Sequence, residues 1–566
     1  MRTDWLMPMR IDWDVPIPMD DGLVLCADVF RPNDDGRYPA ILSYGPYAKG
    51  LPFQAGYPQQ WQKLVEDYPE VCAASSCRYK NWEVVDPERW VPDGYVCVRV
   101  DSRGAGCSPG YLDIWSPRES RDLYACIEWA AAQPWSTGKV GLLGISYYAM
   151  NQWYVASLQP PHLTAMIPWE GAADSYRDVT YHGGIRSDFP ARWYPRQVET
   201  VQYGLGERAP KSPHTGRSVA GSETLSEDEL AGNRADYVAD VRNHPLDDQW
   251  HRDRSPDWSR VQVPFLSAAN WGGQGLHPRG NFEALLRAAS GQKWLEVHGD
   301  THWAHFYTDY GLDLQKRFFG HFLKEVNTGW DRHPRVLLNV RHADGGFIQR
   351  GEQEWPLART EWTKLHLWPE DLSLRDTPAG SGSATYDAAG DGLTFRTAPL
   401  QQAAEITGPL AAHLVASSST TDADIFLVFR VFDAAGQELV FQGALDPNTP
   451  IAQGWLRASH RRLDPRRSLP YRPFHPHDRV EPLTPSEIYE LDIEIWPTCI
   501  VVPPGYQLAL TVRGRDYEYP GELSEFAGRF HFASRGVGPF THTEDVVGGQ
   551  ITLYSGAYLL LPMMPK

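Results

Sequence analysis

"GKVGLLGISYYAMNQW", residues 138–153, decides the fold. Val140 to Ile145 is apolar without alternation, the texture of a strand buried on both faces. A helix is expected from about residue 148, and one serine, Ser146, stands at the turn between them. Gly144-Ile145-Ser146-Tyr147 starts the Gly-x-Ser-x-Gly pattern of a nucleophile elbow, but Tyr148 fills the closing position and Ala149 follows. A serine hydroxyl is a poor nucleophile until a base removes its proton. A tight strand-to-helix turn lifts the hydroxyl above the sheet edge and aims the first helical N–H groups at a developing oxyanion. Gly144 lets such a turn close on one side, and Ala149, rather than Tyr148, is the small residue for the other.

Outward from this stretch the alternation repeats. "GLVLCADVFRP" (22–32), "YPAILSYGPY" (38–47), "GYVCVRVDSRGAG" (94–106), "LTAMIPWEG" (163–171), "VPFLSAANW" (263–271) and "QKWLEVHG" (292–299) read as strands. Helical spacing marks "RESRDLYACIEWAAAQ" (118–133), "PRGNFEALLRAA" (278–289) and "GLDLQKRFFGHFLKEV" (311–326). Continuous apolar strands alternating with helices predict an α/β class with a parallel sheet covered on both faces. Residues 50–91 interrupt the pattern like an insertion, and 176–262 have the charged, irregular texture of a cap. After about 335, short strands such as "AAHLVASS", "IFLVFRVFDAAG" and "YQLALTVRG" alternate with Gly, Pro and Asp turns, which predicts an all-β, jelly-roll-like domain. The expected division is a catalytic domain over 1–175 and 263–335, a helical cap over 176–262, and a β-domain over 336–566.

Bulk properties narrow the function. At 566 residues the chain exceeds one ordinary core. A net charge of -18 opposes a nucleic-acid partner, which requires clustered Lys and Arg. No apolar run reaches bilayer length and the N-terminus lacks a signal-peptide apolar core, so neither a membrane partner nor export is expected. Seven scattered cysteines without a Cys-x-x-Cys motif argue against zinc and for free thiols in a reducing cytoplasm. The 22 tryptophans point to large apolar surfaces or pockets.

The run from Val100 through Trp153 resembles the cocaine-esterase/X-prolyl dipeptidyl-peptidase (CocE/NonD) family of serine hydrolases. The family elbow Gly-x-Ser-Tyr-x-Gly is matched at Gly144, Ser146 and Tyr147, with Ala149 in place of the last glycine. Its Asp-x-Arg-Gly-x-Gly-x-Ser run is matched at Asp101, Arg103, Gly104, Gly106 and Ser108. The resemblance implies an α/β-hydrolase domain. It also implies an oxyanion hole made by the hydroxyl of Tyr47 and the N–H of Tyr147. "LDIEIWPTCIVVPPGYQLALTV" is similar to the family's C-terminal β-domain.

The base is expected on a loop after the last core strand. "WLEVHGDTHWAHFY" offers His298, His302 and His305. His298 belongs to the strand, and His302 falls closest to the family's histidine, with His305 as the alternative. The family acid stands in Gly-Trp-Tyr-Asp, where this chain has Asn270-Trp271-Gly272-Gly273. Glu170, at the carboxyl edge of the strand after the nucleophile's, is the leading replacement, ahead of Asp174 and Asp300. A salt bridge to Arg177 is the bland reading of Glu170. Arg103 and Asp101 are expected to pair and brace the turn, and Asp424 and His460 to be framework residues. Tyr148, Trp169 and Trp271 are candidate pocket residues, with core packing as the alternative.

The expectation is a serine hydrolase that cleaves an ester or amide of a small, partly apolar acyl group through an acyl-enzyme. Ser146, His302 and Glu170 would be its triad, with Tyr47 and Tyr147 as the oxyanion hole and no metal or organic cofactor. Esterase is preferred to X-prolyl peptidase because no acidic clamp for a substrate amine is identifiable. An acyltransferase or cyclase is a further alternative. A small molecule is the expected partner, and a homodimer is possible.

Overall fold

The structure is a computed structural model that describes residues 2–6, 9–526, 529 and 532–565. Nine strands, flanked by the antiparallel strands Arg2–Leu6 and Phe347–Glu352, build the part of the main sheet that bears the site: β1 (Met9–Pro18), β2 (Val24–Pro32), β3 (Tyr38–Gly45), β4 (Val96–Asp101), β5 (Ser136–Ile145), β6 (Leu163–Trp169), β7 (Phe265–Asn270), β8 (Lys293–His298) and β9 (Val336–His342). They lie in the order β1-β2-β4-β3-β5-β6-β7-β8-β9. β1 and β2 are antiparallel to their neighbours, and every pair from β4 to β9 is parallel. Every residue of β4 and β7 is buried, as strands covered on both faces must be.

Helices α1 (Pro117–Ala131), α2 (Tyr147–Leu158), α3 (Pro278–Arg287) and α4 (Asp309–Lys324) pack on this sheet. α1 starts with Ser116 accepting from Glu119 N and with Pro117 in the first turn, a favourable N-terminus. α2 is different. It is buried all round, from Tyr147 to Ser157, because the segments that follow the strands cover its outer side. It begins at Tyr147, one residue before the expected start.

Residues 50–91 do form an insertion, with one helix of more than a single turn, Pro58–Asp67. Its far end returns under the elbow, where Ile145 N donates to Glu83 O at 3.0 Å. Residues 176–262 hold only short helices, such as Tyr237–Asn243, and a hairpin of Tyr181–His182 with Ile185–Arg186. The hairpin glycines abut the β-domain: a Cβ on Gly183 would stand 2.0 Å from Trp455 O.

Beyond Lys324 no α-helix occurs among the described residues. Strands β10 (Ala404–Ser418), β11 (Asp424–Phe432), β12 (Ala452–Arg457), β13 (Tyr489–Val502) and β14 (Gln507–Arg513) carry the second core. Pairs β10–β13, β11–β12 and β11–β14 are antiparallel. β9 meets β13 through Arg341↔Ile500 and His342↔Val501, and the buried Arg341 guanidinium donates to the carbonyls of Cys499 and Ile451, both at 3.1 Å. Asp424 pairs with Arg457 at 2.7 Å, and His460 meets His477 at 3.1 Å, both inside this domain.

Two expectations are corrected here. Cys72 and Cys77 are joined as a disulfide, so the cysteines are not all free thiols. Arg103 and Asp101 do not pair. Arg103 reaches Asp122 on α1 at 2.6 Å and Asp21 at 2.9 Å, while Asp101 accepts from Lys49 N at 2.6 Å and Cys107 N at 2.7 Å. Residues two apart in a turn point in different directions, and sequence proximity concealed it.

Candidate active site

The carboxyl edges of β3, β5, β6, β7 and β8 converge on one place, the usual crevice of a parallel α/β sheet. β3 leads to Tyr47, β5 to Ser146, β6 to Glu170, β7 to His277 and β8 to His302. Ser146 adopts φ 56° and ψ −112°, a strained backbone for a side chain-bearing residue. Its N–H donates to Trp169 O at 3.1 Å and its carbonyl accepts from Met150 N at 2.8 Å, so the turn is fixed from both sides. Gly144 is obligatory, because a Cβ there would lie 2.3 Å from the Tyr148 Cβ. Ala149 is accommodated because residue 171 has no side chain; a Cβ on Gly171 would stand 2.9 Å from the Ala149 methyl.

The ring that touches the serine is not His302. Ser146 Oγ lies 3.0 Å from His277 Nε2. His277 immediately precedes α3 in the loop after β7, and its Nδ1 has no hydrogen-bond partner among the described residues. His302 stacks on it, with ring centroids 4.8 Å apart and 13° between planes. Both nitrogens of His302 are taken by carboxylates: Nδ1 by Glu170 Oε2 at 2.7 Å and Nε2 by Glu83 Oε1 at 3.0 Å. The expected direct contact of His302 with Ser146 is therefore corrected. Its second nitrogen faces Glu83, which the 50–91 insertion delivers.

Glu170 is wholly buried, at φ 49°. Its other oxygen accepts from Asn270 Nδ2 at 3.1 Å and meets His298 Nε2 at 3.0 Å. His298 also contacts Glu296 at 2.7 Å. Burial alone would raise the Glu170 carboxyl, but the two imidazoles hold it down to about 2. Burial opposes charge on His302 as well, yet Glu170 and Glu83 lift it to about 9. Glu83 is pushed up to about 7 by burial, against the pull of His302. His277 is driven down to about 3 by burial and by the charge of the stacked ring. Positive charge is thus favoured on His302, between Glu170 and Glu83, and on His298, which Glu296 and Glu170 lift to about 10 against burial.

The hydroxyl of Tyr47 accepts from Trp193 Nε1 at 3.0 Å, which leaves its proton for another acceptor. Burial keeps this phenol neutral. Its ring packs edge-on against Tyr147 and Tyr148 at 5.9 and 5.7 Å, next to the elbow. Tyr147 is the first residue of α2, so its N–H has no acceptor within the helix. The Tyr147 side chain points away, donating to Glu119 at 2.6 Å and stacking on Trp115.

The remaining candidates lie elsewhere. Asp174 caps the turn at Ser175 and pairs with Arg177 at 2.9 Å, so Arg177 does not bind Glu170. Asp300 holds the Tyr68 hydroxyl. His305 packs against His298 and Tyr310. Trp271 is core, with Nε1 on Asn339 O at 2.9 Å and its ring among Phe282 and Trp355. Trp169 is likewise enclosed, stacked on His298. Tyr148 alone of the three pocket candidates borders the site, through its contact with Tyr47.

Glu170, His277 and His302 bring ligand atoms within 4.8 Å of one another. Those atoms are already engaged, by each other, by Glu83 and by Ser146, except for His277 Nδ1.

A strained serine on a strand-to-helix turn, an imidazole on its hydroxyl and a carboxylate-bound second imidazole define a serine hydrolase of the α/β class. The chain belongs to the X-Pro dipeptidyl-peptidase (S15) family, whose model matches residues 21–307; residues 328–522 match the X-Pro dipeptidyl-peptidase C-terminal non-catalytic domain. It is 33% identical to a solved CocE/NonD family hydrolase from Staphylococcus aureus, with a TM-score of 0.84 over 98% of this chain and 94% of that one. It is 24% identical to the cocaine esterase of a Rhodococcus species, over 89% of this chain and 90% of the relative. A provisionally named serine esterase of Mycobacterium tuberculosis is 25% identical over 88% and 90%.

His277 and Glu83 were missed. "WGGQGLHPRG" did carry a signal, a histidine on a loop leaving the carboxyl end of a core strand. "NWEVVDP" carried none, since only the folded insertion brings Glu83 to His302.

Proposed function

We propose that this serine hydrolase cleaves esters of small, partly apolar acyl groups through an acyl-enzyme on Ser146. The 3.0 Å contact between Ser146 Oγ and His277 Nε2 carries the reading. His277 takes the hydroxyl proton as Ser146 attacks the carbonyl carbon. In the same step His302 becomes neutral by passing its Nε2 proton to Glu83, so that the two stacked rings are not charged together. Glu170 holds His302 through Nδ1 at all stages, and in this role it replaces the family aspartate. The Tyr47 hydroxyl and Tyr147 N–H receive the oxyanion. Collapse of the tetrahedral intermediate breaks the ester C–O bond, and His277 gives its proton to the departing alkoxide while Glu83 returns its proton to His302, leaving the acyl group on Ser146. Water, deprotonated by His277, then attacks the acyl carbon; the Ser146–acyl bond breaks, His277 gives the proton to Ser146 Oγ and the acid leaves.

Residues 176–262 act as a cap over the elbow, supported by Trp193 reaching Tyr47 from that segment. The C-terminal domain is read as jelly-roll-like and the partner as a small molecule, with no nucleic acid or membrane. A cytoplasmic setting is read from the five free cysteines, with the Cys72–Cys77 disulfide standing against it; no described helix is long and apolar enough to cross a membrane. The family's name favours one second reading, X-prolyl dipeptidyl peptidase activity. A panel of aryl esters and dipeptidyl amides, run on wild type and Ser146→Ala, decides between them. The proposal expects turnover of esters, lost in the variant. Preferential cleavage of X-prolyl amides would replace it with the second reading, and Ser146-independent turnover would end both.

A further inference from the structure

A second place in the catalytic domain carries chemistry that the hydrolase reading does not use. A cavity of about 400 Å³ is lined by Trp13, Asp14, Cys26, Lys49, Cys107 and Arg217, among others, and by none of Tyr47, Ser146, His277 or His302. Cys26 lies on β2 in register with Asp101, and its N–H donates to Ser108 Oγ at 2.9 Å. Cys107 lies in the turn after β4, its N–H donating to Asp101 Oδ2 at 2.7 Å. These ties hold the two thiols side by side. Both sulfurs and an Asp14 oxygen fall within 4.8 Å of one another. Both cysteines are partly exposed, whereas Cys97, Cys126 and Cys499 are buried.

We propose that Cys26 and Cys107 are a reversible thiol pair, a modification site that low-molecular-weight disulfides convert to an intramolecular disulfide. A metal fits poorly, because Asp14 already accepts from Lys49 Nζ at 2.6 Å and pairs with Arg217, and Asp28 holds Lys49 at 2.7 Å. The same cation assists thiolate formation at the cavity floor. The adjacent Cys26 thiol, helped by Lys49 and opposed by burial, draws the Cys107 thiol down to about 7, while its neighbour and burial push Cys26 up and its S–H donates to Asp14 Oδ1 at 3.4 Å. Cys107 is the attacker and Cys26 the resolver. The Cys107 thiolate attacks one sulfur of the small disulfide, whose S–S bond breaks and releases a thiolate. Cys26 then loses its proton and attacks Cys107 Sγ, releasing the second thiolate. The two thiol protons end on the two small thiols; two protein thiols are oxidised and one disulfide is reduced.

The test exposes the purified full chain to millimolar oxidised glutathione, counts thiols in denaturant and maps linked peptides. Wild type is expected to fall from five free thiols to three, with Cys26 linked to Cys107. Cys26→Ser should stop at one glutathione adduct on Cys107, and Cys107→Ser should take none. A wild-type count that stays at five, losses that map to Cys97, Cys126 or Cys499, or equal labelling of Cys107→Ser would overturn the pair. Stoichiometric zinc retained by wild type and lost in Cys107→Ser would also overturn it, in favour of a metal site.

Discussion

Glu170 Oε2 stands 3.8 Å from the point a Cβ on Gly273 would occupy, and 2.7 Å from His302 Nδ1. The family resemblance implies an aspartate where Gly273 stands, and Glu170 brings its carboxylate beside that position from the edge of β6.

Glu170→Gln is expected to lower kcat by roughly 10⁴-fold with the fold intact, since a misoriented imidazole is the defect. Gly273→Asp in a Glu170→Ala background should recover at least about ten-fold of the loss, because the new carboxylate enters the vacated space. A Cβ there has 3.3 Å to Pro278 Cδ, tight but adjustable. Steady-state kinetics on an aryl ester reads both, and unchanged turnover in Glu170→Gln would remove Glu170 from the mechanism.

Glu83 predicts a pH effect. Below about 7 its carboxyl is protonated and has no room for the His302 proton, so kcat should fall on the acid side with a midpoint near that value. Glu83→Gln should lose this limb and about 10²-fold in kcat. A pH–rate profile of that variant with the wild-type limb intact would contradict the role.

The same groups set a stability profile. His302 is raised from 6.5 to about 9 and His298 to about 10, so their contribution is complete below 6.5 and lost as pH rises through those values. Glu170, lowered from 4.5 to about 2, contributes above 4.5 and loses it as pH falls through 2. The urea midpoint should therefore drop between pH 7 and 10, with a shallower drop in His302→Asn. Parallel profiles for the two proteins would refute the assignment.

Tyr47→Phe removes one oxyanion donor and is expected to cost about 10²–10³-fold in kcat with little change in KM. A change confined to KM would place Tyr47 in ground-state binding instead.

Packing under the elbow is testable without substrate. Gly171→Ala drives a methyl to 2.9 Å from Ala149 Cβ and 3.2 Å from Trp153 Nε1, and should destabilise by about 1–3 kcal/mol. Adding Ala149→Gly should return part of that loss in chemical denaturation. Additive losses would show that the two positions are not coupled.

The parallel sheet was legible because a strand covered on both faces has no choice but an unbroken apolar run, as Val140–Ile145 shows. The elbow was legible from Gly144 and Ser146, and the edge position of Glu170 followed from the end of β6. What sequence could not convey was which loops return to the same point. Glu83 arrives from an irregular insertion, and His277 arrives one loop earlier than the histidine that the family pattern draws attention to. Trp271 misled for a related reason: it follows a core strand, but its indole turns to the side of the sheet that Trp355 and Phe282 fill.

The most direct measurement is labelling by a fluorophosphonate followed by peptide mapping, with rates for wild type, Ser146→Ala, His277→Ala and His302→Asn. Transfer of the serine proton to the ring it touches requires a single adduct on Ser146, none in Ser146→Ala, and rates slowed by orders of magnitude in both histidine variants. Labelling of His277→Ala at the wild-type rate, or an adduct on any other residue, would contradict it.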